Sequence, residues 1–171
     1  MQTSFEKRIA PFLWQKKLKL VLAESCTGGL VSHRITNMPG SSEYYLGGVV
    51  TYSNSAKHAL LGVDEKTLEQ FGAVSRETVL EMAFGVRRLF ALQGYSQDEI
   101  IGLSVSGIAG PGGGTPEKPV GLVWIGMSAT DGEWAWKYHL DGNRQENKQN
   151  FSEQALQLLW AYLSGYLPPE S

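Results

Sequence analysis

Short apolar runs alternate with amphipathic segments along this chain, and that alternation restricts what it can fold into. Leu18 to Ala23 is a continuous apolar run of strand length, and Ser25 to Ile35 at once resumes a helical period with Leu30, Val31 and Ile35 on one side. The same succession recurs: Leu46 to Tyr52 reads as a strand, Asn54 to Leu61 as a short helix, and Asp64 to Phe71 as a helix with an acidic first turn. Ser75 to about Leu92 reads as a longer helix with Val79, Met82, Ala83, Val86 and Phe90 inward, and Ile100 to Val105 as a strand. Upstream, residues 4–16 carry Phe5, Ile9, Phe12 and Leu13 at helical spacing, with Pro11 as a point of bending or termination. Near the end, Leu122 to Ala129 and Trp134 to Leu140 flank Asp131-Gly132, a hairpin signal. Gln145 to Leu163 closes the chain as a helix with Phe151, Ala155, Leu158, Leu159 and Tyr162 buried, ended by Pro168-Pro169.

Strands that alternate with helices predict an α/β fold, a three-layer α/β/α sandwich around a mixed, mainly parallel sheet. The hairpin adds one antiparallel strand. No repeat, low-complexity tract or linker divides the sequence, so a single domain is expected over residues 1–171.

Composition narrows the classes of function. A formal charge of −2 leaves no electrostatic footprint for nucleic acid or an anionic membrane, so neither is expected as a partner. No stretch is long and apolar enough to span a bilayer, and the polar segment Met1 to Lys7 does not read as a signal peptide. The single cysteine, Cys26, excludes an internal disulfide framework and fits a reducing, cytoplasmic setting.

Candidate chemistry gathers after the first and second strands. Ser25 follows the first strand, where open α/β sheets bind their ligands. It reads either as a helix N-cap or as a nucleophile. Gly28-Gly29 favours the nucleophile, because two glycines in a first helical turn cost about 1 kcal/mol each relative to alanine and something must compensate. Close substrate contact would do so, with the amides of Cys26, Thr27 and Gly28 as an oxyanion hole. Lys57 reads as a solvated surface lysine or, if burial lowers its pKa, as a base. Tyr52 reads as a strand-end core aromatic or a proton relay between Ser25 and Lys57, and Asn54 as the cap of the helix carrying Lys57.

The glycine-rich loop Gly107 to Pro119, with five glycines and three prolines, lacks a Walker or Rossmann fingerprint and reads as an active-site rim. His33, His58 and His139 stand far apart, with no ligand spacing for a metal, so none is expected; a serine–histidine pair through His33 or His58 stays open. Cys26 is a rival nucleophile or an inert small hydrophobe. The tryptophans, Trp124, Trp134 and Trp136 among them, read as packing.

These residues resemble the CinA C-terminal domain family, whose enzymatic members are nicotinamide-nucleotide amidases. The resemblance rests on Ala23-Glu24-Ser25-Cys26-Thr27-Gly28-Gly29, Pro39-Gly40-Ser41-Ser42 and Leu46 through Lys57. It continues through Gly72-Ala73-Val74-Ser75, Gly107 through Thr115 and Pro119-Val120-Gly121. It implies a three-layer α/β/α fold and deamidation of nicotinamide mononucleotide (NMN) to nicotinate mononucleotide and ammonia. A serine, tyrosine and lysine, here Ser25, Tyr52 and Lys57, would act without metal or organic cofactor, commonly in a homo-oligomer. Longer members add an N-terminal pyrophosphatase domain, for which these 171 residues leave no room. The substrate-binding set expected from the two readings together is Cys26, Thr27, Gly28, Gly29, Asn54, Ser106, Gly107, Gly110, Gly112, Gly113 and Arg144. Arg144 is the candidate for the 5′-phosphate. The chain departs from the family pattern at Asn143, where aspartate is usual, at Lys148, where a second arginine is usual, and at Ser106, where threonine is usual. A non-catalytic nucleotide-binding or regulatory module, or an amidase for another small amide, are the alternative functions.

Overall fold

The computed structural model describes residues 4–171; Met1 to Thr3 of the polar N-terminal segment lie outside the described residues. Helix α1 (Phe5–Lys16) precedes β1 (Lys19–Glu24) and α2 (Leu30–Thr36), then β2 (Tyr45–Val50), α3 (Asn54–Leu61), α4 (Glu65–Phe71) and α5 (Arg76–Ala91). Strands β3 (Ile100–Gly107), β4 (Leu122–Ala129) and β5 (Gly132–His139) lead to α6 (Arg144–Ser164). Pro11 lies inside α1 without ending it.

One five-stranded sheet runs in the order β2-β1-β3-β4-β5. β1 is parallel to both β2 and β3, whereas β4 is antiparallel to β3 and to β5, so β4 alone opposes the other strands. Thr130 and Asp131 make the tight turn between β4 and β5, with Ala129 opposite Gly132.

Helices α1, α2 and α6 cover one face of the sheet. Ile9, Leu13, Ile35, Phe151, Leu156 and Leu159 are buried there against Leu20, Leu22, Leu103 and Ile125. Helices α3, α4 and α5 cover the other, with Leu61, Leu68, Met82 and Val86 packed on Val21 and Ala23. The long α5 lies close to the strands because a side chain at Gly102 would strike the carbonyl of Ala83, and one at Gly126 the carbonyl of Val79. The result is the expected three-layer α/β/α architecture.

The sequence pattern and the structure differ at α2. Its period predicts a helix from Ser25, yet the helix begins at Leu30. Gly28 and Gly29 adopt left-handed backbone angles (φ 63° and 96°), which helical continuation from Ser25 forbids and which glycine adopts readily. Ser25 is therefore not the N-cap of α2. Strand β2 also ends at Val50, two residues before Tyr52.

Candidate active site

The carboxyl ends of the parallel strands meet at Ser25. Its amide donates to the Val105 carbonyl of β3 at 3.0 Å, and the amide of Thr51, just past β2, donates to the Glu24 carbonyl at 2.9 Å. These bonds lock the segments that leave β1 and β2 side by side. Helix α3 then brings Lys57 back toward β1. Its N-cap is Ser53, whose Oγ accepts from the Ala56 amide at 3.1 Å; Asn54, expected as the cap, is instead the first helical residue.

Lys57 is 1% exposed, so it is not a solvated surface lysine. Its Nζ lies 3.1 Å from Ser25 Oγ, 2.9 Å from the Thr51 carbonyl and 3.4 Å from the Tyr52 carbonyl. Burial holds this ammonium below its ordinary pKa, against a weaker opposing influence of Cys26. Among the described residues no carboxylate pairs with it. A neutral amine has two hydrogens and one lone pair. As an ammonium, Nζ donates to Ser25 Oγ; as an amine with its hydrogens on the two carbonyls, it turns its lone pair to the Ser25 hydroxyl, the geometry of a general base on a hydroxyl.

Tyr52 takes neither expected role in this geometry. It is 64% exposed, so it is not a core aromatic, and its hydroxyl accepts from Arg144 Nη2 at 3.1 Å rather than bridging Ser25 and Lys57. Arg144, the first residue of α6, also donates from Nη1 to the Gly110 carbonyl at 2.7 Å. It thus ties the segment after β2 to the glycine-rich loop after β3, and no carboxylate among the described residues neutralises it.

Ser25, Lys57, Tyr52, Arg144, Cys26 and Ser106 line one cleft of about 250 Å³, together with Gly107, Gly110, Gly112 and Gly113. Its lining includes two basic side chains and no acidic one. Ser106 Oγ donates to the Ala73 carbonyl at 2.7 Å and fixes the segment through Val74, which lines the cleft as well. Thr27, Gly28 and Gly29 do not line it. They face a separate cleft of about 380 Å³ with His33 and Lys148, between the start of α2 and α6. Asn54 lines a third groove, with His58 and Glu65.

The expected oxyanion donors are also reduced. The Gly28 amide is already bonded to the Ser25 carbonyl at 3.1 Å, whereas the Cys26 amide donates to no backbone carbonyl among the described residues. Burial pushes the Cys26 thiol up to about 12, which removes thiolate reactivity at neutral pH. No histidine lines the cleft: His58 Nδ1 meets the Val63 carbonyl, His139 Nε2 meets the Val120 carbonyl, and His33 lies in the second cleft. Among the described residues no group of three or more His, Cys, Asp or Glu side chains is placed to hold a metal ion.

Sequence reasoning missed two supports of the cleft. Asn147, fully buried on α6, donates through Nδ2 to the carbonyls of Ala109 (3.1 Å) and Gly142 (2.8 Å), pinning the glycine-rich loop to the helix. A polar residue on the apolar stripe of α6 was the available signal. Ala73 and Val74, within Gly72-Ala73-Val74-Ser75, also line the cleft and are not among the expected binding residues.

The CinA C-terminal domain profile matches residues 2–163. This chain belongs to the CinA C-terminal domain family. A putative competence-damage inducible protein of Halothermothrix orenii is 47% identical over 163 residues, covering 95% of this chain and 38% of that protein. A CinA-like protein of Chlorobium limicola is 45% identical over 172 residues, covering 98% of this chain and 38% of its own length. The chain therefore spans less than half the length of these CinA relatives. Among solved CinA structures, the competence or damage-inducible protein of Enterobacter asburiae superposes with a TM-score of 0.87 at 32% identity, covering 95% of this chain and 99% of that one. The competence/damage inducible protein of Agrobacterium tumefaciens gives 0.80 at 37% identity, covering 96% and 99%.

The CinA fold also accounts for a departure from the family pattern. Asn143 Oδ1 accepts from the amides of Gln145 and Glu146, and Glu146 returns a bond to the Asn143 amide. This capping box is one an aspartate would also make, so the helix start that carries Arg144 is kept.

Proposed function

We propose that this protein is an amidohydrolase that converts NMN to nicotinate mononucleotide and ammonia, with Ser25 as nucleophile and Lys57 as its base. The observation that carries the reading is the direct contact of Ser25 Oγ with a buried lysine that has no carboxylate partner among the described residues. A lysine paired with a carboxylate would be held in its charged form; this one is biased toward the amine.

Ser25 Oγ attacks the carboxamide carbon while Lys57 Nζ takes the hydroxyl proton. The oxygen of the tetrahedral adduct gains negative charge, and the open Cys26 amide supports it. The C–N bond then breaks, and Lys57 returns the proton to the departing nitrogen, releasing ammonia. Water, deprotonated by the same amine, attacks the ester on Ser25, and the acid product leaves with the serine restored. Tyr52 is outside this proton path, in keeping with its bond to Arg144.

A mononucleotide suits the cleft because Arg144 offers an uncompensated cation at its wall. The amides of Gly110, Gly112 and Gly113 donate to no protein group among the described residues and add main-chain donors nearby. The test is ammonia release from NMN compared with nicotinamide riboside and simple aromatic amides. Turnover of NMN well above the riboside supports the reading. Equal turnover of both removes the phosphate contact, and binding of NMN without ammonia release makes the protein a non-catalytic nucleotide module.

A further inference from the structure

Glu24 precedes the nucleophile, is buried at the end of β1 and has no part in the chemistry above. Its side chain turns toward α2. Oε2 accepts from the amides of Gly29 (3.0 Å) and Val31 (3.1 Å), and Oε1 accepts from the Ser32 amide (2.8 Å) and the Ser32 hydroxyl (2.6 Å). Tyr45, on β2, donates its hydroxyl to Ser32 Oγ at 2.8 Å and extends the chain of bonds to the next strand. One carboxylate thus satisfies amides that the first turn of a helix leaves without partners, from five to eight residues upstream.

This explains Gly28-Gly29 without a ligand. The chain must reverse within a few residues for the α2 amides to face back onto Glu24, and the left-handed angles at both glycines make that reversal. The same bonds take the start of α2 out of use as a ligand site, since Glu24 already fills it.

We propose that Glu24 is a positioning residue for Ser25, an inference that rests on the serine-nucleophile reading. The turn from Ser25 to Gly28, closed by the bond from the Gly28 amide to the Ser25 carbonyl, is held between two anchors. On one side Ser25 is bonded to Val105 and Glu24 to Thr51; on the other, the Glu24 carboxylate holds the Gly29 amide and the start of α2. This double hold fixes Ser25 Oγ against Lys57 and leaves the Cys26 amide without a backbone acceptor. Glutamine at position 24 has nearly the same shape but replaces one acceptor oxygen with a donor, and that donor faces groups that are themselves donors. The turn must then rearrange.

The test is Glu24→Gln in the full chain, read by NMN turnover, by the rate at which a fluorophosphonate labels Ser25, and by the amide NMR signals of Gly29, Val31 and Ser32. The expected result is a folded protein with those signals displaced, kcat and labelling rate both lowered by about 10²-fold, and KM unchanged; misplacement of a reacting group by roughly 1 Å has that effect. Ser32→Ala, which removes one of the four bonds to Glu24, is expected to change the same quantities less, and it decides the matter if Glu24→Gln does not fold. Displaced amide signals with wild-type kcat and labelling would overturn the proposal, as would a rise in KM alone. Failure of the underlying reading looks different: wild-type protein unlabelled at Ser25, and Ser25→Ala still turning over NMN.

Discussion

Lys57 Nζ stands 3.1 Å from Ser25 Oγ, and the carbonyls of Thr51 and Tyr52 occupy its remaining directions. This arrangement does not depend on any third side chain. It combines a hydrogen-bonded serine hydroxyl, a desolvated lysine and a main-chain cradle that orients the lysine Nζ. Each part follows from the fold: β1 delivers the serine, the end of β2 delivers the carbonyls, and α3 returns the lysine.

Because burial lowers the Lys57 pKa, activity should rise with pH along a limb whose midpoint lies below the ordinary 10.5 of lysine. The same shift links to stability. Between the folded and unfolded pKa values the unfolded chain binds more protons at this site, so stability rises with pH across that window and is lowest, for this group, where the folded lysine is charged. Replacing Lys57 by Met should remove that slope and lower turnover by about 10²- to 10⁴-fold. Chemical denaturation of both proteins across pH checks the first outcome, and steady-state kinetics the second.

Tyr52→Phe removes the hydroxyl that accepts from Arg144 but nothing on the path between Ser25 and Lys57. Its kcat should stay near the wild-type value while KM for NMN rises. A loss of kcat of about 10²-fold at constant KM, the scale of a lost acid–base group, would put the phenol into proton transfer.

Arg144→Gln should raise KM for NMN by roughly 10- to 100-fold, the equivalent of about 1.5–3 kcal/mol for a hydrogen bond to a charged group. Its effect on nicotinamide riboside should be small. Parallel kinetics on the two compounds separate a phosphate contact from a general disturbance of the cleft.

Asn147→Leu should destabilise the protein by roughly 1–3 kcal/mol, because the buried carbonyl of Ala109 loses its donor and the link to Gly142 is lost with it. It should also raise KM, because Ala109 belongs to the cleft wall. Thermal unfolding and kinetics on one preparation test both effects.

Much of this fold is legible from local pattern. Helix α3 lies over the predicted span Asn54 to Leu61, α5 differs from its predicted span by one residue at each end, and the hairpin signal at Asp131-Gly132 marks the β4–β5 turn to within one residue, the turn itself being Thr130-Asp131. Ser25 at the end of β1 is legible for the same reason, since an apolar run ended there. The start of α2 is not, because its amides are satisfied by Glu24 from across the turn and no neighbouring residue announces that bond. The direction of Tyr52 and the burial of Lys57 are hidden for a related cause. Both depend on contacts with α6 or the ends of other strands, at sequence separations that periodicity does not reach. Asn143 carries a local sign, Glu146 three residues on, the spacing of the capping box that the structure shows.

The most direct test of the account is ammonia release from NMN by wild-type protein and by Ser25→Ala, with Cys26→Ala as the control for the neighbouring thiol. The expected result is turnover by the wild type, near-normal turnover by Cys26→Ala, and loss of about 10³-fold or more in Ser25→Ala, the scale on which removal of a nucleophile acts. Near-wild-type turnover by Ser25→Ala, or its loss only in Cys26→Ala, would contradict it.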